Sequence, residues 1–205
     1  MSLINAPIGL RPAWHPSGCI RQEQIANIDQ TASFLQFQPV GIDIAGADGQ
    51  LVPVAPALIS AAPNDFIGVF MGVEYTGTDG RRRVQNKWDA NTPILANTEL
   101  VAYYTRDPNI VYEMQANSAI ANTAIGLQYT YTQPTPGTSE AVTGLFRGAL
   151  DTTSGAASGT QQGALKVIGL NPGPNNVFGS GFPDLQVIIN AHQDRPGRTD
   201  AGVPA

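Results

Sequence analysis

Glycine and proline interrupt this chain so often that no helix of ordinary length can run through most of it. There are 22 glycines and 16 prolines among 205 residues, nearly a fifth of the sequence. Proline lacks the donor a helix needs, and glycine costs backbone entropy in any regular element. Helical bundles and coiled coils are therefore excluded. The same punctuation excludes a membrane-spanning helix: the charge-poor stretch 49–64 is broken by Pro53, Pro56 and Pro63, and no segment reaches the roughly 20 apolar residues a span needs. Hydrophobic residues make up 42% of the chain and mean hydropathy is -0.09, which is compatible with one globular all-β domain. Charge is scarce at 13%, about half the roughly 25% of an ordinary soluble domain. Such a surface needs its own explanation.

The turn signals divide the chain into short strands. Residues 1–18 read as an extended N-terminal arm, because Pro7, Pro12 and Pro16 fix φ and hold their predecessors out of the helical region. The apolar arm residues Ile4, Ile8, Leu10 and Trp14 follow neither a helical nor a strand period, so the arm packs either on its own body or on a neighbour. A single β-rich domain is expected over 19–193 and a tail over 194–205. Strands are expected at 20–28, 33–40, 50–54 and 66–73, with Gly68 and Gly72 marking bulges or close backbone approach. A hairpin is expected at Asp79-Gly80, with Trp88 closing it as a core or sheet-capping residue. Strands 100–105 and 110–115 flank the Asp107-Pro108-Asn109 turn. Leu127, Tyr129 and Tyr131 alternate with Gln128, Thr130 and Thr132, the clearest period of two in the chain. Residues 117–125 are expected to form the one short helix, and 133–139 and 152–163 to be loops. The last strands are expected at 163–170 and 185–190. No internal repeat is visible. The expected fold is all-β, mainly antiparallel, as a β-sandwich or β-barrel with a jelly roll among the variants, plus one short helix and extended terminal arms.

Few residues offer chemistry. One Cys and two distant histidines cannot make a zinc site. Asp43, Asp48, Asp65 and Asp107 sit in or near loops without the spacing of a calcium loop. Cys19 and His15, four apart in an extended arm, lie up to about 14 Å from each other, and no orienting acid is evident; His192 is remote. Glu74, Glu99 and Glu113 could pair as catalytic carboxylates, but their plainer reading is as cross-strand partners of Arg81 to Arg83 or of Arg106. No metal, no cofactor and no enzymatic activity are expected. Tyr103, Tyr104, Tyr129 and Tyr131 could stack on a sugar if exposed, and otherwise belong to a core or an interface. Net charge of -5 and a pI near 4.8 oppose phosphate backbones. The basic run Arg81, Arg82 and Arg83 follows a turn and lacks interleaved aromatics, so it reads as a solvated or subunit-contacting hairpin shoulder and not as a nucleic-acid site. The N-terminus lacks a signal-peptide pattern, which points to synthesis in a cytosol.

Three segments, taken together and in order, resemble a family of tailed-bacteriophage virion proteins. They are NAPIGLRP at 5–12, RDPNIVYEMQAN at 106–117, and the run from FRGALDTTSG to VIINAHQ at 146–193. The chain is similar to head decoration, or capsid cement, proteins. That resemblance implies a non-enzymatic protein binding the outside of an expanded icosahedral shell, with the major capsid protein as partner. It implies a homo-oligomer, typically a trimer, placed on the outer surface of the virion after synthesis in the host bacterial cytoplasm. Neither nucleic acid nor membrane is an expected partner. Contacts to a neighbour or to the shell are expected from Leu10, Arg11, Trp14 and His15 on the arm and from Arg81, Arg82 and Arg83. The alternative is a virion-associated carbohydrate-binding β-domain acting in host adsorption. In the first reading low charge has a purpose, since a surface destined for burial avoids desolvating ions.

Overall fold

The computed structural model describes residues 4–25, 27–43, 49–56, 66–133, 138–154, 163–190 and 192–194. In chain order the strands are β1 (Arg11–Trp14), β2 (Glu23–Ile25), β3 (Phe34–Leu35), β4 (Pro39–Ile42), β5 (Leu51–Pro53), β6 (Gly68–Thr76), β7 (Arg82–Gln85), β8 (Lys87–Trp88), β9 (Val101–Tyr104), β10 (Val111–Gln115), β11 (Gln128–Thr132), β12 (Ala149–Asp151), β13 (Leu165–Leu170) and β14 (Asp184–Ile189). The all-β, antiparallel expectation is met. Among the described residues helix is limited to a 3-10 turn at Asn122–Ala124 and one short α-helix, α1 (Thr138–Thr143).

The strands make two main sheets, each of which closes on itself. The C-terminal sheet runs β1-β10-β14-β13-β11-β12, and the N-terminal sheet runs β2-β9-β6-β4-β5 with β7 added beside β6. A parallel bridge between Leu150 and Ala116 ties β12 back to the end of β10. Another, between Leu51 and Ile28, ties β5 back to the chain following β2. Each closed ring has an odd number of strands, so one neighbouring pair must be parallel, and these bridges are that pair. Alternation then sorts the side chains. In the C-terminal barrel Tyr112, Met114, Tyr129, Tyr131, Leu150, Leu165, Val167, Leu185 and Val187 fill the interior. In the N-terminal barrel Val40, Leu51, Phe70, Val73, Tyr75, Ala102 and Tyr104 do so. The small β3–β8 ladder adds Phe34 and Trp88 to that core, with Trp88 edge-on to Tyr75 at 5.3 Å.

The two barrels repeat one topology. Counting only the strands of its own ring, each barrel follows the order first, fifth, fourth, second, third: β2-β9-β6-β4-β5 and β10-β14-β13-β11-β12. The agreement extends to register. A bulge lies between Phe70 and Gly72 in β6 and between Val167 and Gly169 in β13. Phe37 N–H donates to the Phe70 carbonyl at 2.8 Å, and Gly126 N–H donates to the Val167 carbonyl at 2.8 Å. Both donors have positive φ, 67° and 88°. One residue on, Gln38 N–H donates to Leu35 O at 3.1 Å and Leu127 N–H to Ala124 O at 3.0 Å. The molecule is thus an internal duplication that the sequence conceals. At equivalent places Gly68 pairs with Val40 while Leu165 pairs with Tyr129, and Phe70 pairs with Tyr104 while Val167 pairs with Val187. A small pair in one barrel thus stands where a large pair stands in the other, and the sense reverses between the two places, so residue identity does not repeat.

Several local expectations need correction. The helix expected at 117–125 is only the 3-10 turn, because Ile120 and Ala124 are drawn into the barrel core without a longer helical run. The α-helix Thr138–Thr143 starts in the last two residues of the loop expected over 133–139 and runs beyond it. The strand expected over 33–40 is cut by the left-handed Phe37 into β3 and β4. Gly68 and Gly72 behave as expected: the first packs on the Thr105 backbone, the second ends a bulge. Asp48, Asp65 and the tail from 195 onward lie outside the described residues.

Candidate assembly surface

The N-terminal segment is held along the free edge of β10. Arg11 stands opposite Glu113, Pro12 opposite Tyr112 and Trp14 opposite Val111. Farther toward the N-terminus the Gln115 side chain imitates a strand, accepting from Ala6 N–H at 2.8 Å and donating to Ile4 O at 3.3 Å. Leu10 is 0% exposed and lies in the C-terminal core. The expectation that Leu10 serves a neighbour or a shell is corrected, because no face of it reaches the surface. Arg11 is exposed but tied to Glu113 through Nε at 3.1 Å and through Nη2. Trp14 is 47% exposed and covers Val111, which is 4% exposed, so the ring is both a lid and a surface feature.

His15 and Asp107 meet at the turn between the barrels. His15 Nδ1 accepts from Ser17 N–H at 3.1 Å and lies 2.6 Å from Ser17 Oγ. With Nδ1 accepting, the proton sits on Nε2, 3.2 Å from Asp107 Oδ2 but out of line for a good hydrogen bond. The Asn109 backbone N–H, with His15 contributing less, holds the Asp107 carboxyl below the usual range. Sequence reading weighed His15 with Cys19 and missed Ser17 and Asp107. The row Ser17–His15–Asp107 has the members of a hydrolytic triad. However, Ser17's own N–H occupies the lone pair that would have to take the hydroxyl proton, and Gly18 N–H is spent on His15 O at 2.8 Å. The arrangement locks a turn.

The three arginines lie on the β6–β7 hairpin. Arg82 ion-pairs with Glu74 and Arg83 with Asp79 at 3.0 Å. Asp79 is held below its usual range by Arg81 N–H first and the Arg83 side chain second. Arg81 is exposed and has no carboxylate in ion-pair range among the described residues. Tyr103 OH donates to Glu74 at 3.2 Å; desolvation, with Glu74 second, raises its pKa. Beside this cluster Gln22, Met71, Gly72, Val84, Asn86 and Tyr103 line a shallow depression of about 360 Å³. Val84 is 72% exposed, and Val142 on α1, next to the Thr143 carbonyl that accepts from Asn86 at 3.0 Å, is 83% exposed.

The other candidates do not converge. Glu74 and Glu113 are the cross-strand partners of Arg82 and Arg11, and Glu99 is exposed elsewhere. Among the described residues no cluster of His, Cys, Asp and Glu could hold a metal, and no helix is long and apolar enough to cross a membrane. Tyr104, Tyr129 and Tyr131 are buried, leaving only Tyr103 partly exposed. Comparison of the chain with family models, with curated proteins and with solved structures gives no match in any of the three.

Proposed function

We propose that this chain is a non-enzymatic bacteriophage head protein that seats on the outside of the capsid and stabilises the expanded shell as a homo-oligomer. Its partners in this reading are the major capsid protein and its own copies, and its destination is the outer surface of the virion. The observation that carries the reading is the character of the surface. Arg11, Arg82, Arg83, Lys87 and Arg106 are each paired with a carboxylate of the same chain, while Trp14, Val84, Val142 and Val177 stand substantially exposed. Charges already neutralised in place and apolar groups left in water favour a surface that is buried later, because contact then removes apolar area without stranding ions. The collinear resemblance to decoration proteins supplies the partner, and the net charge of -5 keeps the protein from competing for packaged DNA.

The experiment compares shells with and without this protein. Shells lacking it should assemble but rupture at lower temperature, and adding the purified protein back should restore the loss. Rupture at the same temperature in both would overturn the proposal.

A further inference from the structure

The duplication shows a strand edge that is covered in one barrel and bare in the other. In the C-terminal barrel β1 adds to the outer edge of β10, antiparallel, at Val111, Tyr112 and Glu113. The topologically equivalent residues of the N-terminal barrel are Gln22, Glu23 and Gln24 on β2, which pairs with β9 on its other side. No described residue pairs with β2 along this outer edge, and Arg21 through Gln24 are all exposed. The second bare edge is β7, whose four residues are exposed and whose one strand partner among the described residues is β6.

These two edges end the same run of strands. β2, β9, β6 and β7 follow one another, each antiparallel to the next. With an even number of strands, β7 of one copy laid against β2 of a second copy in the same orientation continues the antiparallel alternation. Copies related by rotation about an axis along the strands can therefore join head to tail, each using one edge of either kind, and close as a ring. Charge permits this pairing: β2 carries Glu23, with Arg21 two residues before it, and on the facing hairpin Arg82 and Arg83 are held by Glu74 and Asp79 of their own chain while Arg81 has no carboxylate in ion-pair range among the described residues. Val84 would pass from water into the seam.

We propose that the β2 edge of this protein takes the β7 edge of a second copy, so that the N-terminal barrels of an oligomer share one continuous sheet. This deepens the oligomeric part of the proposed function and rests on it, but not on binding to a shell.

The test uses the full chain in a Cys19→Ser background, without capsids. Glu23→Cys is combined in turn with Arg82→Cys, Arg83→Cys, Val84→Cys and Gln85→Cys. Oxidation should link copies in at least one pairing and give a ladder that stops at a single size. Separately, Glu23→Arg should weaken self-association in sedimentation by about tenfold or more, the scale of an interfacial ion pair turned repulsive. Its circular dichroism should stay unchanged, since residue 23 is exposed. An oligomer that forms no crosslink in any pairing and ignores Glu23→Arg would overturn this interface while leaving oligomerisation standing. A protein that stays monomeric throughout would overturn both, and shell binding by such a monomer would leave only the capsid role.

Discussion

Leu10→Ala tests whether the N-terminal segment is part of the folded body. The side chain is 0% exposed and packs in the C-terminal core, and its N–H donates to Phe37 O at 3.1 Å. Truncating a wholly buried leucine loses the transfer energy of its methyl groups and leaves a cavity, together about 3 to 5 kcal/mol. The Leu10 site should lie near the lower figure, because it is close to the edge strand β1 and can partly collapse. In a chain of this size about 3 kcal/mol corresponds to a Tm drop of roughly 6 to 12 °C. Urea unfolding followed by tryptophan emission is a suitable assay, since Trp88 is buried at 1% exposure and reports the loss of the other barrel. Ile4→Ala is the control: Ile4 is on the same segment but 74% exposed, and its truncation should change stability by about 0.5 kcal/mol or less. Equal, small effects of the two substitutions would refute the reasoning. Deleting residues 1–17 removes Leu10 with its segment and should destabilise the β-domain at least as much as Leu10→Ala.

Two glycines should separate steric from conformational cost. A Cβ on Gly68 would lie 1.8 Å from Thr105 O, so Gly68→Ala should leave little folded protein, whereas Gly126→Ala meets nothing within 4 Å and should cost only its positive φ, about 1 kcal/mol in thermal denaturation. Acid should weaken the tie between Arg106 and Asp194, whose carboxyl is held below its usual range chiefly by Arg106, at 2.8 Å from Nε. Its folded pKa being depressed, the contribution is complete above the unfolded value near about 4 and is lost as pH falls through the lower folded value. Asp194→Asn should therefore be less stable than the parent at neutral pH and should lose less between neutral pH and about pH 3, measured by Tm.

What the sequence revealed followed periodicity and punctuation. Alternation at Tyr129 and Tyr131, the Asp107-Pro108-Asn109 turn and the glycines of β6 all act through nearest neighbours along the chain or strand, and each was legible. The duplication was not, because the shared strand order and hydrogen bonds are properties of the backbone and leave the wall residues free to differ; Gly68 with Val40 stands where the other barrel has Leu165 with Tyr129. Leu10 was misplaced for a related reason. Its spacing in the proline-rich segment carries no period, and its hydrogen bond to Phe37 O and its place in the core with Phe146 and Met114 are set by residues distant in sequence. The meeting of His15 with Asp107 was not legible because the two lie 92 residues apart and on different turns. At the surface, the cross-strand pairing of Glu74 and Glu113 with arginines was readable from residue type, but which arginine each would take depended on register.

The pairing of β1 with β10 also orders events during synthesis. Arg11 and Glu113 are 102 residues apart, so Leu10 leaves the ribosome long before the strand it will lie beside exists. All strands of the N-terminal barrel, β2 to β9, precede β10, and that barrel can close while residues 4–14 still have no sheet to join. A segment made before either barrel is then among the last to settle. Until the second barrel is complete, an apolar stretch containing Ile8, Leu10 and Trp14 stays open to whatever surrounds a nascent chain.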